Sequence, residues 1–285
     1  KTHKRLSSHT IRAYKNDLMQ FYNSDYDNVE SYIEQLTQSN LKTNTLRRKI
    51  ACMKVFYNYL KYQNIIEENP FNQLRFQFRT EKVLPKTIPY DILKSIFIYL
   101  EQKVIVSKTD YQKQHAERNL LIISLLLSTG IRISELCHIH LKDINLSNKT
   151  LHIVGKGKKE RILFLGDQKT FNLLETYINK NGKESNDFLF PGKHSPKPLS
   201  EQSVRLVLKR IVEQNSLSRT ITPHMFRHSF ATMLLDNDVD IRYIQQILGH
   251  SSISVTQIYT HVSHSKQKEI LSSFNPVSAI HSEIE

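Results

Sequence analysis

Apolar and polar positions alternate along most of the chain with a helical period. Ile11, Tyr14, Leu18 and Phe21 recur at three- and four-residue steps after Ser7 and Ser8, which are able to cap a helix. Val29, Tyr32, Ile33 and Leu36 form a short second stripe, and Leu46, Ile50, Met53, Phe56, Tyr57 and Leu60 a longer third one after Thr43. These stripes predict a small helical bundle. Between Asn69 and Pro89 the period lapses, Pro70 and Pro85 appear, and Arg75, Arg79, Lys82 and Lys86 punctuate the stretch, as in an interdomain connection. The expected layout is a helical N-terminal domain over residues 1–80, a linker over 81–88 and a second domain over 89–285.

The second domain begins with helical spacing at Ile92, Leu93, Ile96, Phe97 and Leu100, followed by an apolar core helix around Leu120 to Leu127. Gly130, free to take a positive φ, suits the end of that helix. Leu151 to Val154 and Arg161 to Leu165 are short β-type runs on either side of Gly155-Lys156-Gly157-Lys158-Lys159-Glu160, a hairpin signature. Helical segments follow near Phe171–Ile178, Val204–Val212, His224–Leu235, Ile241–Leu248 and Val255–Val262. Beyond His264, Ile270, Leu271 and Phe274 lie at helical spacing and fit either a neighbouring subunit or the chain's own domain. The fold class expected is mainly α with a small β-sheet.

Charge changes the picture more than size does. At roughly 150 residues per domain, 285 residues make about two domains. Lys plus Arg number 40 against 27 for Asp plus Glu, a formal charge of +13, which calls for a polyanionic partner, nucleic acid first. Arg47, Arg48 and Lys54 ride on the third helical stripe, either as a solvated face or as phosphate contacts. The two cysteines, Cys52 and Cys137, make neither a disulfide framework nor a metal-ligand spacing, which fits a reducing compartment. No apolar run approaches the roughly 20 residues that cross a bilayer, and the basic start is followed by amphipathic sequence. A cytoplasmic, DNA-associated protein with no membrane partner is the expectation.

Several residues stand out chemically. Gly155-Lys156-Gly157 lacks the spacing and the Ser or Thr of a Walker A loop, so nucleotide hydrolysis is not indicated. His224 and His228 are four apart on one helix, with His250 further on. Met225 occupies the glutamate position of an HExxH zinc site, and Arg227 on the same face repels a cation. Arg227 and His224 instead suit an anion, because the arginine fork grips two phosphate oxygens while histidine donates to a third or moves a proton. Arg132 opens a short helix after Gly130, with Glu135 three residues on to orient it; taken alone, the pair reads better as a surface ion pair, and only the combination with the other groups favours an anion site. Nothing local distinguishes Tyr259 among 13 tyrosines.

Taken together, these segments resemble the tyrosine recombinases, the phage-integrase and Xer-like family. Ser128-Thr129-Gly130-Ile131-Arg132-Ile133-Ser134-Glu135-Leu136 is similar to the family's first arginine box, and Val154 to Arg161 to its lysine hairpin. Thr222 to Thr232, carrying His224-Met225-Phe226-Arg227, resembles its HxxR box. Ile244 to Ser252 and Thr256 to Val262 resemble the terminal histidine and nucleophile boxes. The resemblance implies a two-domain DNA clamp, with a helical core-binding domain and an α+β catalytic domain. It further implies site-specific cutting and rejoining of duplex DNA through a 3′-phosphotyrosyl intermediate and a Holliday junction, for integration, excision or resolution. Tyr259 would be the nucleophile and His224 the base. Arg132, Arg227 and His250 would stabilise the phosphate, Lys156 would protonate the leaving oxygen, and Glu135 and His228 would support them. Arg47, Arg48, Lys54, Arg75 and Arg79 are the candidate DNA contacts. Paired sites on double-stranded DNA and a homotetramer are implied, with no cofactor and no metal. The alternatives are type IB topoisomerase-like relaxation and a non-catalytic DNA-binding module.

Overall fold

A computed structural model describes residues 6–26, 28–74, 86–155, 159–181, 184, 187–193, 196–249 and 264–284. The chain divides into two compact units, Lys1–Val83 and Leu84–Glu285.

The first unit is built on three helices, α1 (Ser8–Tyr22), α2 (Val29–Gln38) and α3 (Thr43–Tyr62). Ser7 and Asn28 cap the first two by accepting from the backbone N–H groups of Thr10 and Ser31. Val29, Ile33, Ile50, Cys52, Met53 and Phe71 form the core, with Tyr14, Leu18 and Phe21 of α1 packed against it. Buried Asp17 is the polar tie between helices. It pairs with Arg48, and Lys49 Nζ lies 3.3 Å from its other oxygen. Lys49 is itself buried and also bonds Gln20.

The second unit opens with α4 (Tyr90–Ile105) and α5 (Asp110–Thr129). Every residue of α5 from Leu121 to Thr129 is buried, so the second half of this helix is enclosed on all sides and forms the axis of the core. Gly130 ends it in the left-handed conformation, φ 60°. A short α6 (Ile133–Cys137) leads to an antiparallel sheet of β1 (Ile144–Asn145), β2 (Thr150–Val154) and β3 (Glu160–Phe164), in that spatial order. Leu151 pairs with Leu163 and Ile153 with Arg161. The hairpin stands where the apolar alternation placed it, while β1 is too short to carry a period of its own. Then come α7 (Gln168–Asn181), α8 (Glu201–Gln214), α9 (Pro223–Asp236) and α10 (Ile241–Leu248). The helix expected over Val255–Val262 lies outside the described residues.

The C-terminal segment, α11 (His264–Ser273) and α12 (Pro276–Ile284), docks on its own unit in this single chain, one of the two placements the sequence allows. Val277 and Ile280 are fully buried, and α12 packs against α4, α5, α7 and α9. Gly166 permits the crossing, because a Cβ there would lie 1.8 Å from the Leu271 carbonyl oxygen. Asn275 donates to Ser128 O at 3.2 Å, tying the segment to the end of α5. Buried Asp167 accepts from Ser278 Oγ at 2.6 Å and from Thr170 N–H at 2.7 Å, and His281 Nδ1 lies 3.5 Å from it.

Burial alone would raise the Asp167 carboxyl, but His281, Ser278 and Thr170 bring it down from 3.8 to about 2. Because its folded pKa is depressed, its stabilisation is complete above the unfolded value and is lost as pH falls through the folded one. We expect Asp167→Asn to lower the unfolding free energy by about 2 kcal/mol at neutral pH. It should also flatten the decline of stability on acidification from about 4 to about 2, read from urea denaturation across that range. An Asn variant with the wild-type acid profile would place that sensitivity on other groups.

Candidate active site

Three segments that are distant in sequence meet at the end of α5. Gly130 turns the chain there, and a Cβ on it would come within 2.6 Å of both Leu248 and Phe230, so α9 and α10 pack directly on this turn. The turn delivers Arg132 to the cap position of α6. Its backbone N–H donates to Glu135 Oε2 at 3.1 Å and its Nη1 to Oε1 at 2.8 Å. Glu135 is buried whereas the Arg132 side chain remains 30 % exposed, so one donor is committed inward and the guanidinium still meets solvent.

Arg227, on the buried face of α9, is 6 % exposed. It donates from Nη1 to Gly130 O at 2.8 Å and from Nη2 to Leu248 O at 2.6 Å. It thereby joins the C-terminal carbonyls of two helices, where the helix dipole favours a cation. Burial, with Arg132 and Arg161 nearby, pushes its pKa down to about 10, which leaves it protonated at neutral pH.

Arg161 of β3 completes the group and was overlooked in the sequence. It donates to Glu135 Oε1 at 3.1 Å and Oε2 at 2.7 Å, and through Nε to Ile247 O at 3.0 Å. The signal was available: Arg161 shares a face of β3 with buried Leu163, and an inward arginine requires a carboxylate. Burial would raise the Glu135 carboxyl, but Arg161 and Arg132 hold it below the ordinary range. Three guanidiniums around one carboxylate leave an excess of positive charge, which an anion balances.

His224 and His228 occupy α9 on either side of Arg227, and both are exposed. Partial desolvation of the ring against α9, with His224 and Arg227 nearby, lowers the pKa of His228 although its side chain still reaches solvent, favouring its neutral form. Lys156, His250 and Tyr259 lie outside the described residues, as do Arg75 and Arg79. Gly155 and Gly249 are nevertheless placed, each directly ahead of one of those groups. On α3, Arg47 is partly buried, Arg48 is engaged by Asp17 and Lys54 is exposed. The outcome for Arg48 is thus a third one, a tie between helices, beside the solvated and phosphate-contacting roles weighed from sequence. Among the described residues no three His, Cys, Asp or Glu side chains group to hold a metal, and no helix is long and apolar enough to cross a membrane.

Residues 99–266 match the Phage integrase family, and residues 1–64 match the phage integrase N-terminal SAM-like domain. The chain is 47% identical over 291 residues to a tyrosine recombinase of Agathobacter rectalis, covering 98% of this chain and 94% of that protein. It is 33% identical over 263 residues to tyrosine recombinase XerC of Bacillus subtilis, covering 90% and 83% respectively. Among solved structures, the XerH site-specific recombinase bound to its difH substrate aligns with a TM-score of 0.66 at 24% identity, over 93% of this chain and 79% of that one. The Tn1549 transposon integrase in complex with transposon right end DNA aligns with a TM-score of 0.64 at 20% identity, over 99% and 94%. These two likenesses are of fold.

The family matches, one on the helical unit and one on the α+β unit that holds the arginine cluster, put the chain in the class of DNA strand-exchange enzymes that use a tyrosine. The chain belongs to the phage integrase family. It is a tyrosine-type site-specific DNA recombinase, the family and activity that the sequence motifs implied.

Removing the carboxylate tests whether it organises the arginines. Glu135→Gln should lower the unfolding free energy by about 3 kcal/mol, the scale of breaking a buried ion pair from one side. Urea denaturation measures this, and a loss below about 0.5 kcal/mol, the scale of a surface pair, would show that the arginines hold their places without it.

Proposed function

We propose that Arg132 and Arg227 hold the nonbridging oxygens of one scissile phosphate in duplex DNA while Tyr259 attacks its phosphorus. The observation that supports this reading is the cluster of Arg132, Arg161 and Arg227 around the single carboxylate Glu135. As charge builds in the pentacoordinate transition state, fixed guanidiniums stabilise it without reorganising. The Tyr259 oxygen forms a bond to phosphorus and loses its proton to His224, since a phenol of pKa about 10 is a weak nucleophile until deprotonated. The bond to the 5′-oxygen breaks, and Lys156 supplies that oxygen with a proton. The product is a 3′-phosphotyrosyl bond and a free 5′-hydroxyl. Attack by the 5′-hydroxyl of a partner strand reverses the steps and rejoins the DNA, so bond energy is conserved in the covalent intermediate.

His250 donates a further hydrogen bond to the phosphate, and His228 supports the N-terminal turn of α9. In the first unit, Arg47 and Lys54 on α3, with Arg75 and Arg79 beyond it, contact the DNA backbone, and Arg48 adds to them where it can be shared with Asp17. The domain limits in this reading are 1–80 and 89–285, joined by 81–88. Two DNA sites are brought together by four copies of the chain and pass through a Holliday junction. XerH bound to difH and the Tn1549 integrase bound to transposon end DNA are fold neighbours consistent with duplex DNA as the substrate.

The test uses randomly nicked DNA from around the protein's own gene, in EDTA, so that cleavage next to a nick traps the covalent complex. We expect a denaturant-resistant adduct at one sequence, absent from Tyr259→Phe. An adduct that persists in that variant would assign the nucleophile elsewhere. Adducts scattered without sequence preference would favour the topoisomerase-like reading, and tight binding with no adduct would favour a DNA-binding module.

A further inference from the structure

We propose that Arg161 is a positioning residue for strand cleavage, holding the Arg132 turn and the end of α10 in fixed relation so that its loss slows the chemical step rather than DNA binding. This inference rests on the roles proposed above for Arg132, Arg227 and His250.

Three bonds fix the Arg161 guanidinium in one orientation: two to the oxygens of Glu135, at 3.1 and 2.7 Å, and one from Nε to Ile247 O at 3.0 Å. The same carboxylate holds Arg132 through both its backbone and its side chain. The next carbonyl along α10, Leu248 O, is held by Arg227. Gly249 then turns the chain at φ 63° into His250. Arg161 therefore connects the segment carrying one phosphate-gripping arginine to the helix end that sets the origin of the histidine.

Two glycines show how closely this connection abuts the site. A Cβ on Gly249 would lie 3.1 Å from Arg161 Cδ, and a Cβ on Gly155 would lie 3.1 Å from Glu135 Oε1. Gly155 immediately precedes Lys156, so the ion pair is wedged between the origins of the lysine and histidine segments. Gly155 N–H also donates to Lys159 O at 2.7 Å, closing the base of the hairpin against the pair. The Arg161 side chain is 12 % exposed, and its Nε, Nη1 and Nη2 each donate to a protein acceptor. Lysine retains the charge but lacks the planar fork needed to make all three bonds at once.

Single-turnover adduct formation on the nicked cognate DNA, with DNA affinity measured by gel shift, separates chemistry from binding. For Arg161→Gln we expect cleavage to slow by about 10- to 100-fold, the cost of a misplacement near 1 Å, with affinity within about threefold of wild type. Arg161→Lys should fall between the two. The discriminating readout is a substrate with a methylphosphonate at the scissile position, which carries no anionic oxygen for the arginines to balance. On it the Arg161→Gln defect, taken relative to wild type, should shrink to within about threefold, whereas a general loss of folded protein lowers both substrates equally. Equal defects on the two substrates, or Arg161→Gln cleaving the phosphate within about threefold of wild type, would overturn the proposal. If Arg161→Gln does not fold, Arg161→Lys carries the same comparison. A wild-type protein that forms no adduct would bring down the functional reading and this role together, while a wild-type adduct with an unimpaired Arg161→Gln removes this role alone.

Discussion

The Glu135 carboxylate, buried and bonded to two arginines with a third close by, is the interaction on which the catalytic unit depends. A carboxylate taken out of water is costly unless its lone pairs are filled, and here four donor contacts from Arg132 and Arg161 fill them. The reverse also holds. Arg132 and Arg161 approach each other only because one anion stands between them, and Arg227 tolerates their nearness because two helix-terminal carbonyls stabilise its charge. The remaining excess of positive charge faces outward through Arg132, which is 30 % exposed.

Holding that cluster requires a rigid frame, and the frame is assembled from places where side chains are missing. Gly130 lets Leu248 and Phe230 close over the end of α5, and Gly155 and Gly249 admit the Glu135–Arg161 pair between the hairpin and α10. Behind them α5 runs through the core with every residue from Leu121 to Thr129 buried. The far side is closed by α12, whose Ser278 and His281 converge on Asp167 one residue after Gly166. The segments that carry the arginines thus rest on a core continuous with the C-terminal docking site. His281 lies edge-on to Phe97 of α4, which links that docking to the same core.

Much of this was legible beforehand because it is local. The stripes of the first three helices, the largely apolar second half of α5, the Gly130 stop and the hairpin around Gly155 follow from spacing of three, four or two residues and from the special freedom of glycine. Arg132 with Glu135, and His224 with Arg227, were visible as helical neighbours. Arg161 escaped because its partner lies 26 residues away and its strand is only five residues long, too short for one inward charge to stand out. Arg48 was read as facing outward because stripe position does not reveal Asp17, which arrives from another helix. The β1 strand, two residues long, has no period to read.

The sequence by itself determined most of the segments that become helix or strand, several of the turns, that its partner is polyanionic and which chemical groups are present for phosphoryl transfer. Those properties depend on neighbours within a few residues and on summed charge. Only the tertiary structure decided that one carboxylate serves two arginines from different segments, that Arg227 is held by the carbonyls of Gly130 and Leu248, and that the C-terminal helix docks on its own unit. Each of these joins residues far apart in the chain, and the pairing is set by which buried donors and acceptors the packed core brings within bonding distance.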